Sequence, residues 1–274
     1  MNKYLKCCSR LISFNRKNRT ILFSFQRFQH ISSTSAVTLA EDVYNPPRGA
    51  TDPERCLIIT HGLFGSRTNW RSLAKAFSYR ANIKVVTVDM RNHGSSPYIT
   101  SMTYFDMASD LIRIIEKHNM PKTILMGHSM GGKASMLVAL EKPKLIQKLI
   151  VVDIAPTISA SAVEMPSYIP ILLDNLHRIQ SEKDIAAARR AMDIILQASA
   201  ESLRQNKNVR DFLLMLIAYD QSKKSNYIND ETIPKIRRLF PSHRLIRIPN
   251  AGHWVHSERP YDFLNCVLPE LEIK

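Results

Sequence analysis

No acidic residue occurs before Glu41 in this chain of 274 residues. The first thirty residues carry Lys3, Lys6, Arg10, Arg16, Lys17, Arg19 and Arg27, which is seven of a formal net charge of +14. The same stretch holds Phe14, Phe23, Phe25 and Phe28 and several serines. An acid-free, Arg- and Ser-rich start has the composition of a mitochondrial transit peptide. It also suits a disordered basic tail that meets nucleic acid or anionic lipid. The transit reading predicts a leader over residues 1–40, removed before about residue 40, and a mitochondrial protein. The remaining positive charge is spread along the chain and calls for no nucleic-acid partner.

Long apolar runs are missing too. None reaches the roughly 18 residues that span a bilayer. Cysteine is scarce: Cys7 and Cys8 lie in the leader, and Cys56 and Cys266 stand far apart. No C-x-x-C or Cys/His metal spacing occurs, so the chemistry must come from other residues, and the thiols read as buried and reduced. There are no internal repeats. A 45% hydrophobic chain of this length can bury one large core.

What is present is concentrated at residues 122–140. Lys122–Met126 is a short apolar run, Gly127-His128-Ser129-Met130-Gly131 follows, and Lys133–Leu140 is helix-competent. Strand, G-x-S-x-G, helix is a nucleophile elbow. The turn is too tight for side chains at its flanks, and it lifts the serine hydroxyl out of the sheet. The helix N-terminus behind offers N–H groups and positive dipole to a developing oxyanion. A bare motif is common by chance, and its context here carries the reading.

That context is alternation. Strands are expected at Cys56–Thr60, Ile83–Val88, Lys148–Ile154 and near Leu245–Ile248. Helices are expected at Asn69–Tyr79, Met102–His118, near Ile233–Leu239 and from Pro260. Leu213–Tyr219 is ambiguous between helix end and strand. Alternation of this kind predicts an α/β fold, a mostly parallel sheet with helices on both faces. Residues 41–274 then form one domain. Residues 162–211, helical by composition, interrupt the alternation and read as a helical cap over the active site.

Acyl transfer by a serine needs a base, an orienting acid and an oxyanion hole. The base is expected after the last strand. His253, in Pro249-Asn250-Ala251-Gly252-His253-Trp254, fits; His256 is the near alternative and reads as a surface residue. One oxyanion donor is the N–H after the serine, Met130. The other is assigned to Leu63, with Phe64 next, in the glycine-flanked loop Thr60–Gly65. His61 reads as a structural loop residue and Asp89 as a loop-ordering carboxylate. For the acid, Asp153 at the end of a four-residue apolar run competes with Asp220; an aspartate there is costly unless partnered, which favours Asp153.

Together these residues resemble the α/β-hydrolase superfamily. More narrowly, His61-Gly-Leu-Phe-Gly65, Asp89-Met-Arg-Asn-His-Gly94, Gly127-His-Ser-Met-Gly-Gly-Lys133, Val152-Asp-Ile-Ala-Pro156 and Pro249-Asn-Ala-Gly-His-Trp254 look like a mitochondrial branch. That branch holds yeast ethanol acetyltransferases and animal α/β-hydrolase-domain relatives. The resemblance places the triad on Ser129, Asp153 and His253. It implies an alcohol O-acetyltransferase that makes ethyl acetate, with no bound cofactor and acetyl-CoA as co-substrate, and with esterase and thioesterase side activity. The partners implied are an acyl donor and an alcohol or water. A plain carboxylesterase or lipase, and a catalytically silent binding protein, are the alternatives. The chain departs from the branch around Arg210–Gln221, which is shorter here.

Overall fold

The computed structural model describes residues 36–47, 49, 52–99, 101–156, 214–219 and 227–272, the strand 214–219 in its backbone alone. Seven strands form one sheet: β1 (Glu41–Tyr44), β2 (Arg55–Thr60), β3 (Lys84–Val88), β4 (Lys122–His128), β5 (Ile146–Val152), β6 (Leu214–Tyr219) and β7 (Arg244–Ile248). Their order is β1-β3-β2-β4-β5-β6-β7. β1 runs antiparallel to β3, and every other pairing is parallel. The helices are α1 (Arg71–Arg80), α2 (Tyr104–Lys117), α3 (Met130–Glu141), α4 (Ile233–Leu239), α5 (Val255–Glu258) and α6 (Pro260–Leu271).

The strand residues divide between two cores, as side chains alternate across a pleat. Ile58, Val86, Val88, Leu125, Leu149 and Val151 face a core shared with α2, α3 and α4. Their neighbours Leu57, Ile59, Val85, Ile124, Met126, Ile150 and Val152 face a second core shared with α1 and α6. Strands buried on both faces read as continuous apolar runs, which is why Cys56–Ile59 and Leu149–Val152 show no polar alternation. Trp70, Phe77 and Phe263 are fully buried in the second core, each contributing roughly 1.5–3 kcal/mol of burial.

Within the ambiguous run, Leu214–Tyr219 is a strand, β6, between β5 and β7. A parallel strand buried in mid-sheet and a buried helix segment share the same apolar pattern, so periodicity alone did not separate them. α1 begins at Arg71, two residues later than expected, because Arg67–Trp70 forms a 3-10 turn first. α2 begins at Tyr104 behind a capping box. The Asp106 N–H donates to Thr103 Oγ1 at 3.1 Å, and the Thr103 N–H donates to Asp106 Oδ2 at 2.9 Å.

The chain is tied into the domain before residue 41. The Val37 N–H donates to Asp110 Oδ1 at 2.7 Å, and Leu39 is buried. The Ala40 N–H donates to Ser96 Oγ at 2.8 Å, and its carbonyl accepts from the Asp89 N–H at 2.9 Å. Residues 37–40 are therefore packed into the domain. The expected leader up to Ser35 and the expected cap at 162–211 lie outside the described residues.

Candidate active site

β4 delivers the nucleophile. Its last residue is His128, and α3 starts at Met130, so Ser129 alone makes the turn. Its backbone sits at φ 51°, ψ −114°, a region that L-residues avoid at a cost of about 1–3 kcal/mol. Two glycines make the turn possible. A Cβ on Gly127 would stand 2.5 Å from the Gly131 carbonyl oxygen, and one on Gly131 would stand 2.6 Å from the His61 carbonyl oxygen. No real Cβ makes such contacts, so both positions must be glycine. The Ser129 N–H is held by the Val152 carbonyl of β5 at 3.1 Å, and only 9% of the residue is exposed.

β5 delivers the acid. Asp153 follows Val152 at φ 45° and is buried. The loop after β7 delivers the base. Asn250, at φ 56°, turns that loop. His253 Nδ1 lies 2.8 Å from Asp153 Oδ2, with both side chains 2% exposed. The carboxylate accepts only from a protonated Nδ1, which leaves Nε2 as the basic nitrogen of a neutral ring. Asp153 thus has the partner that its burial demands. Asp220, the competing acid, lies outside the described residues.

The loop after β2 abuts the serine. A Cβ on Gly62 would lie 3.2 Å from Ser129 Cβ. In this loop the Phe64 N–H donates to His93 Nε2 at 3.2 Å. The Phe64 N–H, the second candidate for an oxyanion donor, is therefore already engaged. Two histidines brace the loop from behind. His61 Nδ1–H donates to the Gly62 carbonyl at 2.7 Å, and its Nε2 accepts from the Met90 N–H at 2.9 Å. His93 Nδ1–H donates to the Arg91 carbonyl at 2.9 Å. An accepting Nε2 must be unprotonated. Burial holds His61 down to about 3 and pushes His93 down as well. Asp89 orders the adjoining loop, with Oδ1 accepting from the Arg67 N–H at 2.7 Å and Oδ2 from the Ser95 N–H at 2.8 Å. The Arg67 guanidinium closes on the same carboxylate.

His256 is not a surface residue. It is buried, its ring stacks on Trp70 at 4.0 Å and 7°, and burial holds it down to about 3. α5 packs on Trp70, at the end of the 3-10 turn before α1, so a position that reads as solvent-facing in sequence is covered. Two residues without an assigned role also reach the base. The His128 ring lies 4.7 Å from that of His253, and the Tyr227 ring 4.5 Å. Burial, and then the Asp153 charge, push the Tyr227 phenol well above its ordinary range. His128 stands inside the motif Gly127–Lys133; nothing local to either residue marks a contact with residue 253.

A hydroxyl on a strained elbow, an imidazole oriented by a buried carboxylate, and a helix N-terminus beside a glycine-rich loop are the parts of a serine acyl-transfer site. The α/β-hydrolase-fold family model matches residues 56–211, and the chain belongs to that family. It is similar to the sn-1-specific diacylglycerol lipase ABHD11 of Danio rerio, 31% identical over 277 residues covering 88% of this chain and 84% of that one. It is also similar to ethanol acetyltransferase 1 of Kluyveromyces marxianus, 25% identical over 84% of this chain and 79% of that one. Among solved structures, a marine microorganism esterase superposes with a TM-score of 0.70 at 27% identity, covering 85% of this chain and 99% of that one. The protein is an enzyme of the serine hydrolase and acyltransferase class.

Proposed function

We propose that the protein cleaves carboxylic esters through an acyl-serine at Ser129. The observation that carries this is the buried 2.8 Å pair of His253 Nδ1 and Asp153 Oδ2, together with a serine in a strained elbow at the end of the strand next to that of Asp153. In this mechanism Ser129 Oγ attacks the acyl carbonyl carbon and its proton passes to His253 Nε2. Asp153 holds the ring and balances the imidazolium. The oxyanion is met by the Met130 and Leu63 N–H groups. As the tetrahedral centre collapses, the leaving alkoxide takes the proton from Nε2. Water or an alcohol then gives its proton to Nε2 and attacks the acyl-serine, and as this second tetrahedral centre collapses Nε2 returns the proton to the departing Ser129 Oγ.

The acceptor defines the enzyme. Water gives a hydrolase, and the similarity to a diacylglycerol lipase at 31% identity favours this reading, with lipid esters as the substrate class. A small alcohol gives a transferase, and the similarity to an ethanol acetyltransferase favours that second reading, with acetyl-CoA as donor and ethyl acetate as product. Nothing in a triad chooses between the two; the cap does, by excluding or admitting water. We place the helical cap at 162–211 and the protein in mitochondria, on the composition of residues 1–40.

The test is partition. The purified protein is given a diacylglycerol or acetyl-CoA, with ethanol raised stepwise, and free acid is measured against ethyl ester. Free acid at every ethanol concentration supports the hydrolase. Ethyl ester that rises with ethanol at the expense of acid replaces it with the transferase.

A further inference from the structure

We infer that His128, the residue between Gly127 and Ser129, is a positioning residue for the base, acting through a hydrogen bond to the backbone carbonyl of His253. The inference rests on the acyl-serine reading above.

His128 Nε2 lies 2.8 Å from that carbonyl oxygen. The carbonyl only accepts, so Nε2 carries the proton and Nδ1 is the bare nitrogen. Nδ1 is buried and finds no partner among the described residues. The ring enters the space that Gly62 leaves open, since a Cβ on Gly62 would stand 2.7 Å from Nδ1. One side chain, covalently next to the nucleophile, thus touches the oxyanion loop on one side and the base loop on the other. Its ring also contacts His253 at 4.7 Å, Trp254 at 4.9 Å and His256 at 4.7 Å.

Folding alone does not call for an imidazole here. A buried ring with a bare nitrogen costs stability, which offsets what its Nε2–H contributes by satisfying the His253 carbonyl. What the imidazole adds is one directed N–H. His253 is then held at two points, its carbonyl by His128 and its Nδ1 by Asp153, while Tyr227 covers the ring at 4.5 Å. These two anchors set the direction of Nε2.

The charge state agrees. Burial first, then the neighbouring His253 and His256, hold His128 well below the ordinary histidine range. It stays neutral while His253 cycles through imidazolium, so the base gains an oriented neighbour without a repelling cation. Among the described residues, the titratable groups that face His253 are Asp153 from the end of β5, His128 from β4 and Tyr227 from the segment before α4. His256 of α5 stands behind His128.

The test compares His128→Phe, which keeps a ring and loses the donor, with His128→Gln, whose amide N–H can occupy the Nε2 position. The probe is p-nitrophenyl acetate, and kcat, KM, melting temperature and the pH profile of kcat/KM are read from about pH 5 to about pH 9. His128→Phe should lower kcat about 10- to 100-fold with KM little changed and the acid limb of the profile shifted. Its melting temperature should stay close to that of the wild type, because the orphaned carbonyl and the removed bare nitrogen offset each other, and His128→Gln should recover most of the lost kcat. Wild-type kcat and pH profile in His128→Phe overturn the inference, as does an equal loss in Phe and Gln. Should His128→Phe fail to fold, His128→Asn replaces it, its shorter amide stopping short of the carbonyl; equal kcat in Asn and Gln then overturns the inference. Ser129→Ala is run alongside. If it is inactive while His128→Phe is unchanged, only the positioning role falls; if it remains fully active, the acyl-serine reading falls and takes this inference with it.

Discussion

Ser129 holds the clearest record of function in a single residue. Its φ of 51° and ψ of −114° are costly for any side chain, and a glycine there would be relaxed. A position kept strained for folding alone would have drifted to glycine. Ser129→Gly should therefore abolish ester turnover and still raise stability by about 1 kcal/mol, read by chemical denaturation. A variant that loses stability together with activity would show that the serine side chain holds the elbow together. Asp153, at φ 45°, shares this kind of strain, and its carboxylate is committed to His253. The 2.8 Å pair with His253 is the observation that puts Asp153 ahead of Asp220 in the proposed triad.

Between elements, the loops around the site are joined by neutral histidines. His61 and His93 tie the oxyanion loop to the loop after β3, and His256 stacks α5 on Trp70. Burial holds His61 and His256 down to about 3, against an ordinary value of 6.5. The unfolded chain therefore binds more protons than the folded one between these values, and stability is fully present above about pH 6.5 and falls as pH drops. Each such histidine contributes a loss of up to about 1.4 kcal/mol per pH unit. Denaturant midpoints from about pH 7 to about pH 4 should show this slope, and His256→Phe, which keeps the stack and removes one proton site, should flatten it. An unchanged slope in His256→Phe would mean that His256 is not held neutral.

The strands around this network were legible because both-face burial leaves continuous apolar runs, and the elbow because its glycines are sterically required. His256 and His128 were not legible. Their roles are set by contacts 125 residues away in sequence for the His128–His253 bond, and by α5 folding over Trp70. No local pattern encodes such a meeting. The β6 run was undecided for the same reason, since only its pairing with β5 and β7 distinguishes it from a helix end.

At the scale of the whole molecule, the seven-stranded sheet places Asp153, Ser129 and His253, the proposed acid, nucleophile and base, beyond the C-terminal ends of β5, β4 and β7, where open parallel sheets place their ligands. The N-terminal segment closes the far side. Val37 is held by Asp110, and Asp110 also takes a two-point bond from the buried Arg91 guanidinium, at 2.6 and 2.7 Å. A protein that starts at Ala36 should melt as the full chain does. One that starts at Glu41 loses the buried Leu39 and leaves part of Asp110 unsatisfied, and should melt at least about 5 °C lower. Equal melting of the two would place the true start of the domain after residue 40.

The central claim is an acyl group carried on Ser129. The direct measurement is mass spectrometry of the protein quenched in acid during turnover of an ester, followed by peptide mapping. The account predicts one acyl adduct, on the peptide that contains Gly127–Lys133, and its absence in Ser129→Ala, with a much reduced rate of formation in Asp153→Asn. Turnover without any adduct, or an adduct that persists in Ser129→Ala, would contradict it.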